Sequence, residues 1–356
     1  MGVTLLNILS PVEYINLYYF LMLPVVLSFL FIDRDLNSGL FRLFIVALGT
    51  IFFMGLRPLS WYFTDMHNYA SYFEASKENL FIEGVSDAGF NIYMFLAAKW
   101  LSTECWFFLT ALLYVFGYVF LYFTLYRNKG GYLLALLYLC FFFFSYGTNT
   151  IRAGLASSIV MVALALFLKN RFFLSAVMAV IAITFHSSMA LLVVAALVAI
   201  LFKRMLLYYY FWILCFILSL VFGNSIALKF SSLLDFDDRF VNYMTQTQNI
   251  GGVFRWDFFL FGALPVLWSA YLWIYERYRD NIYWWFVRIY LIANGFWILA
   301  IRAAFSDRFA YMAWTLIPVL LLYPLLDIRC SYIHKLSTYK FFIIITFGLT
   351  LYLYFK

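Results

Sequence analysis

Two side chains in this sequence, Arg152 and His186, are placed to do chemistry together. Residues 153–168, between Arg152 and Lys169, carry no charge, and neither do residues 172–185, between Arg171 and His186. At about 1.5 Å of rise per residue, each arm nearly crosses a hydrocarbon core about 30 Å thick. The stretch reads as a helical hairpin in a membrane, and its turn, Leu168-Lys169-Asn170-Arg171, is basic and belongs on the cytoplasmic side. Arg152 and His186 then meet at the opposite, outer edge. A guanidinium keeps its charge in a low-dielectric site and grips phosphate with a planar fork, while an imidazole can take or give a proton near neutrality. The competing reading makes Arg152 an interfacial anchor reaching for headgroups and His186 a satisfied helix-end histidine.

Other residues of the same chemistry accompany them. Arg57, Arg239, Arg255, Arg302 and Arg308 each lie at or next to the end of an apolar run on the same expected outer side. Arginine is disfavoured there during insertion, and at mid-membrane it costs about 2.5–3.5 kcal/mol, so the set requires an anionic partner. That partner is either internal, from Asp65, Asp235, Asp237, Asp238, Asp257 and Asp307, or a bound anion. A polyprenyl-diphosphate-linked saccharide fits the second reading. Its phosphates suit arginines, its tail a groove between helices, and its sugars aromatic platforms. Tyr62, Tyr69, Tyr72, Tyr243, Trp256 and Tyr311 are placed to supply such platforms, or else to form an interfacial belt. Cys105, Cys140, Cys215 and Cys330 are scattered without ligand spacing, and no HExxH pattern or glycine-rich phosphate loop occurs. No metal site and no cofactor are expected.

The elements that position these residues follow from composition. Apolar residues make up 66% of the 356 and charged residues only 12%, with a mean hydropathy of +0.92, a balance no soluble domain could expose to water. The apolar runs are continuous rather than alternating, which favours helices over a barrel. The expected fold class is all-α, a polytopic integral membrane protein with residues 1–356 as a single transmembrane domain. Spans are expected at about 14–32, 39–56, 105–126, 131–147, 151–168, 171–187, 188–202, 207–223, 257–275, 282–301, 308–326 and 340–355, about twelve in all. The first lacks a basic n-region and a cleavage site, so it is expected to stay as a span. Residues 88–101 are too short for a span and read as a re-entrant or interfacial helix. Outer loops are expected at 57–103 and 224–256. The loops RNKGG, KNR, FKR, ERYRD and DIRCSYIHK gather basic charge on one side, which accounts for much of the formal charge of +7 and removes nucleic acid as a partner. No internal repeat is visible.

Several short patterns then resemble one family. They are Thr64-Asp65-Met66-His67-Asn68-Tyr69 followed by Tyr72-Phe73, the helix opening Ile151-Arg152-Ala153-Gly154-Leu155-Ala156, the helix closing Phe185-His186-Ser187-Ser188, and Asp307-Arg308-Phe309-Ala310-Tyr311 with Ile317-Pro318. Over roughly residues 40–325 the chain looks like the EpsG-like branch of the Wzy polysaccharide polymerases. It departs at Ala153, where many relatives carry Gln. The resemblance implies a GT-C-like polymerase bundle in the bacterial inner membrane with its active site facing the periplasm. It also implies a glycosyltransferase of O-antigen or capsule assembly in lipopolysaccharide biosynthesis, joining undecaprenyl-diphosphate-linked repeat units.

The residues and the resemblance together give an expected mechanism. A lipid diphosphate leaves, so developing charge must be stabilised, a task for Arg152, Arg302 and Arg308 without a metal. Arg57, Arg239 and Arg255 come second, for acceptor phosphate or loop positioning, and Tyr69, Tyr243 and Tyr311 are sugar contacts. Either His186 or Asp65 takes the acceptor proton, His186 being preferred. The partners expected are the lipid-linked oligosaccharide, membrane lipid and a chain-length regulator protein. Two alternatives stand beside this. A lipid-linked oligosaccharide flippase or transporter would need mid-membrane charges and matched broken helices, but Arg288 alone lies inside a span and Pro265, Pro318 and Pro324 show no pairing. An O-antigen ligase would share the donor and differ in acceptor.

Overall fold

The computed structural model describes residues 9–30, 39–60, 63, 65–78, 87–223, 253–303 and 306–355. It is all-helical among them, and contacts divide the chain into two compact units. Unit 1 comprises Met1–Ala190 and His334–Lys356; unit 2 comprises Leu191–Ile333.

Among the described residues, eight helices are long and apolar enough to cross a membrane. In unit 1 these are α1 (Pro11–Leu30), α5 (Thr103–Leu125), α8 (Ile151–Leu168) and α16 (Lys335–Phe355). Unit 1 also holds α2 (Gly39–Gly55), α3 (Met66–Lys77), α4 (Ala88–Ala98), α6 (Gly130–Leu139), α7 (Phe141–Thr148) and α9 (Phe172–Phe185). Most of α10 (Met189–Leu201) falls in unit 2. There α11 (Met205–Phe222), α12 (Trp256–Ile274), α13 (Asn281–Leu299) and the joined pair α14 (Ser306–Trp314) and α15 (Ile317–Leu326) supply the other four spans. The expected twelve therefore includes four members that differ from full spans. α2, α9 and α10 are shorter apolar helices of 17, 14 and 13 residues, and the 131–147 run is broken.

The break lies at Cys140, where α6 and α7 meet at 83°. Neither proline nor glycine sits at the corner. Cys140 is extended (φ −73°, ψ 127°), and a run of four phenylalanines follows it. Every residue of α6 is buried, so the carbonyls freed by the break cannot turn to water. Side chains from distant helices satisfy them instead. Tyr18 of α1 donates to the Tyr138 carbonyl at 3.1 Å, and Thr350 of α16 donates to the Leu139 carbonyl at 2.6 Å. On the α7 side, Tyr114 of α5 donates to the Phe143 carbonyl at 3.0 Å. The broken span thus depends on tertiary donors that local sequence does not contain.

Small residues set the helix spacing around α8. A Cβ at Gly117 of α5 would lie 2.1 Å from the Ser158 carbonyl oxygen, so only glycine permits that approach. The Ser158 hydroxyl accepts from the Gly117 amide at 3.1 Å and donates to the Leu113 carbonyl at 2.7 Å. Below them Tyr118 and Ser157 share a 2.7 Å hydroxyl bond. α5 and α8 are clamped together by polar contacts where lipid tails offer no competing hydrogen bonds.

In unit 2 Arg288, midway along α13, has a local explanation. Its Nε donates to the Ala199 carbonyl at 3.0 Å, in the last turn of α10. Trp285 Nε1 reaches the Ala196 carbonyl, and the Tyr208 hydroxyl reaches that of Phe202. A cation at a helix C-terminus meets both the unpaired carbonyls and the negative end of the dipole. Arg288 caps a helix that stops short.

Candidate functional site

Unit 1 assembles a polar cluster where the N-terminus of α8 meets the C-terminus of α9. Arg152 is the second residue of α8, in its first turn. His186 follows the last residue of α9 in extended backbone. The tight 169–171 turn at the far end, with Asn170 at φ 59°, makes the two helices antiparallel and returns His186 to the level of Arg152. A hairpin with its ends brought together is what the charge-free arms predict.

The side chain that joins them is Asp87. Its carboxylate is fully buried and accepts from Arg152 Nη1 at 3.0 Å. Both of its oxygens lie 3.3 Å from His186 Nδ1, and the Ser187 amide donates to Oδ1 at 3.4 Å. Arg152 Nε donates to the Tyr69 hydroxyl at 3.2 Å, and its charge also lies over that ring. Burial pushes the Tyr69 phenol above its ordinary pKa, with Arg152 opposing, so it remains a neutral partner. Arg152 and His186 are each about one-quarter exposed while the carboxylate between them is closed off. A buried anion facing two partly open groups can fix their orientation and leave their outer atoms free for a ligand.

Asp87 was not among the residues singled out from sequence. It lies within the expected 57–103 outer loop, directly before the 88–101 helix. It does precede α4, but it makes no side-chain cap bond and its backbone is left-handed (φ 73°, ψ 48°). That conformation is uncommon outside glycine and is tolerated best by Asn and Asp. It turns the carboxylate away from the α4 amides toward α8 and α9. A second device brings α4 close. A Cβ at Gly89 would lie 2.3 Å from the Thr184 hydroxyl of α9, so α4 sits directly on α9 one turn from His186. The readable signal was an Asp followed by a glycine one residue into an apolar helix. Its partners were not readable. Asp65, the carboxylate favoured from sequence, flanks α3 and acts electrostatically on Tyr69; the one touching Arg152 and His186 is Asp87.

The remaining candidates divide between the units. Arg57 lies in unit 1 just past α2, buried, with Nη1 donating to the Met54 carbonyl at 2.6 Å. Unit 2 holds Arg255, Arg302, Arg308 and Tyr311. Arg255 makes a two-point pair with Asp257, at 3.0 and 2.8 Å, and its charge lies 3.7 Å over Phe258. Its hydrogen bonds to Asp257 hold the guanidinium pKa above its ordinary value against burial. The Tyr311 hydroxyl donates to Asp307 at 2.6 Å, and both groups act electrostatically on Arg255. Arg302 sits over Phe254 with its Nε buried and without a hydrogen-bond partner among the described residues. Arg308 is half-buried on α14. Arg239 and Tyr243 lie outside the described residues, as does Tyr62. Among the described residues, internal pairing therefore accounts for Arg152 and Arg255, and leaves Arg57 and Arg302 with nitrogens that have no hydrogen-bond partner. No group of three His, Cys, Asp or Glu among the described residues is arranged to hold a metal ion.

The family model described as "EpsG family" matches residues 40–356, which takes in both units and every candidate residue named above. No curated protein and no solved structure matches the chain.

Proposed function

The chain belongs to the EpsG family of Wzy-type polysaccharide polymerase-like membrane proteins, and from that premise we propose that it is a glycosyltransferase. It would join polyprenyl-diphosphate-linked repeat units, undecaprenyl diphosphate being the carrier that the resemblance implies, at the outer face of a bacterial inner membrane. The observation that carries the proposal is Asp87, a buried carboxylate bridging Arg152 and His186 at one end of a helical hairpin.

In this reading a hydroxyl at the non-reducing end of the acceptor attacks the anomeric carbon of the donor. A carbon–oxygen bond forms there as the bond to the diphosphate oxygen breaks, and the lipid diphosphate leaves with the electron pair. With its Nδ1 proton donated to Asp87, His186 keeps a lone pair on Nε2 to receive the hydroxyl proton. Arg152, tied by Nε to Tyr69 and by Nη1 to Asp87, has Nη2 remaining for the leaving diphosphate. The pre-existing bonds fix the fork in advance, so less ordering is needed when charge develops. Arg255, Arg302, Arg308 and Tyr311 of unit 2 and Arg239 and Tyr243 of the 224–256 loop are proposed as further phosphate and sugar contacts, with Asp65 as the alternative proton acceptor. A chain-length regulator protein is the proposed protein partner.

The test is polymerisation in vitro with a purified lipid-linked repeat unit in the presence of chelator. Arg152→Lys keeps the charge and loses the fork, and is expected to insert normally while lowering polymer yield about 10²–10³-fold, the typical cost of one preorganised donor. A wild-type ladder of chain lengths from that variant would remove Arg152 from the reaction. Activity that disappears with chelator alone would overturn the metal-independent route.

A further inference from the structure

α9 is too short for the bilayer it would cross. It has 14 residues, about 21 Å of rise against a hydrocarbon core about 30 Å thick. Both of its ends are nonetheless polar. One meets the basic turn Lys169-Asn170-Arg171, whose cations hold to headgroup level, and the other runs into His186, Ser187 and Ser188. The chain then returns in α10, which has 13 residues, about 20 Å, before the next basic pair, Lys203-Arg204. The bent pair α6 and α7 repeats the measure, since 10 and 8 residues meeting at 83° span only about 19 Å from the Lys129 cap to Thr148. By contrast α1, α5 and α16 have 20, 23 and 21 residues, enough for the full core. The shortest passages are those that begin or end beside Arg152 and His186 in sequence.

α9 also faces outward. Among its fourteen residues, all of them described, Ala182 alone is buried, while Phe173 and Val180 are 79% and 61% exposed. Phe173, Val180 and Ser187 recur every seven residues, so they form one stripe of that face. An exposed apolar face bounded at both ends by polar turns fits the acyl chains of phospholipid. A core of full thickness would leave about 9 Å of lipid tail beyond His186, at the level of Arg152 and the Asp87 carboxylate, although Arg152 and His186 are each about one-quarter exposed. Ionisable groups at such depth are expensive, whereas a bilayer accommodates a short hydrophobic helix by thinning at modest cost per ångström. We propose that the α9 face of unit 1 binds a locally thinned bilayer, its hydrocarbon reduced to about 20 Å, so that the headgroup layer drops to the level of the Asp87 cluster. The inference concerns the lipid surface and stands whatever reaction the cluster performs.

The test is a depth ladder along the stripe. Full-length protein carrying Cys105→Ser, the other three cysteines being buried, takes a nitroxide at Phe173→Cys, Val180→Cys or Ser187→Cys and is reconstituted in dioleoyl phosphatidylcholine. Collision with oxygen, which concentrates at mid-bilayer, and with a water-soluble nickel chelate gives the depth of each label without any substrate. Val180 should be deepest, and Phe173 and Ser187 should each read within about 5 Å, one helical turn, of the headgroup level. A deeper reading at Ser187 overturns the inference, and its return to headgroup level in the thinner dimyristoleoyl lipid would show that α9 is submerged in a core of full thickness. Nickel access at Val180 equal to that at Ser187 would mean that water rather than lipid covers this face, which overturns it as well. Ile183→Cys, one turn earlier on α9, replaces Ser187→Cys if labelling disturbs the turn, and should then read about 6 Å deeper than the headgroup level.

Discussion

At the scale of single residues, Asp87 decides how the cluster works. Asparagine tolerates the left-handed backbone nearly as well as aspartate, so Asp87→Asn removes the charge with the chain path retained. It also presents an amide where two acceptors are needed, leaving Arg152 without its counter-charge and His186 without a fixed tautomer. Polymer yield is expected to fall about 10²–10⁴-fold, within the range of a general-base contribution, with the protein still inserted. Yield within a factor of a few of wild type would show that Asp87 holds structure only. Arg152, His186 and Tyr69 were legible because charge and imidazole are rare in apolar sequence and stand out at helix ends. Asp87 was hidden among ordinary loop acids, since the choice between Asp65 and Asp87 depends on which one the backbone aims at α8 and α9.

At the scale of elements, two contacts carry predictions. Gly89→Val places a branched Cβ where the Thr184 hydroxyl lies 2.3 Å away, so α4 must move off α9 and take Asp87 with it. Overpacking of this kind costs about 1–3 kcal/mol, and polymer yield should fall together with Tm. Wild-type activity in Gly89→Val would mean that the α4–α9 contact does not position Asp87. Thr350→Val is close in shape and deletes the donor to the Leu139 carbonyl at the α6/α7 corner. The expected loss is about 0.6–2 kcal/mol, the range for interhelical hydrogen bonds in membranes, read by denaturant unfolding in detergent. Stability equal to wild type would place the support of the corner elsewhere. Hydrophobic runs announced where helices exist. They concealed the 83° break, because an apolar run reads the same whether its middle is straight or bent, and the donors that stabilise the bend come from α1, α5 and α16.

At the scale of the whole molecule, the loops on the basic side of unit 2 are tied by an ion pair network. Arg329 bridges Asp280 and Asp327, which are both nearly buried, while the Tyr278 hydroxyl donates to Asp327 at 2.5 Å. Asp280 also caps α13 through the Tyr283 amide. Burial alone would raise the Asp327 pKa, but the hydrogen bonds from Arg329 and Tyr278 outweigh it and hold it below the ordinary carboxylate value. A carboxyl with a lowered folded pKa contributes stability that is present above its unfolded value, near 3.8, and is lost as pH falls through the folded one. Acidification below about pH 4 should therefore lower the Tm, and Arg329→Ala should lower it at neutral pH while flattening that acid dependence. A Tm for Arg329→Ala equal to wild type across pH 3–7 would mean the network is solvated.

The amino-acid sequence by itself determined that the chain is helical and lies in a membrane, since 66% apolar composition in continuous runs leaves no other way to satisfy the backbone. It also determined that Arg152 and His186 share one end of a hairpin, because the turn between two arms of similar length is local. The tertiary structure decided which carboxylate joins them, where a span bends, and which arginines keep unsatisfied nitrogens. Those outcomes rest on long-range approach: Asp87 meets His186 across 99 positions of sequence, and Thr350 meets Leu139 across 211. Periodicity and charge spacing report what a segment prefers, whereas a hydrogen bond between remote segments exists only once glycines such as Gly89 and Gly117 have let the helices close.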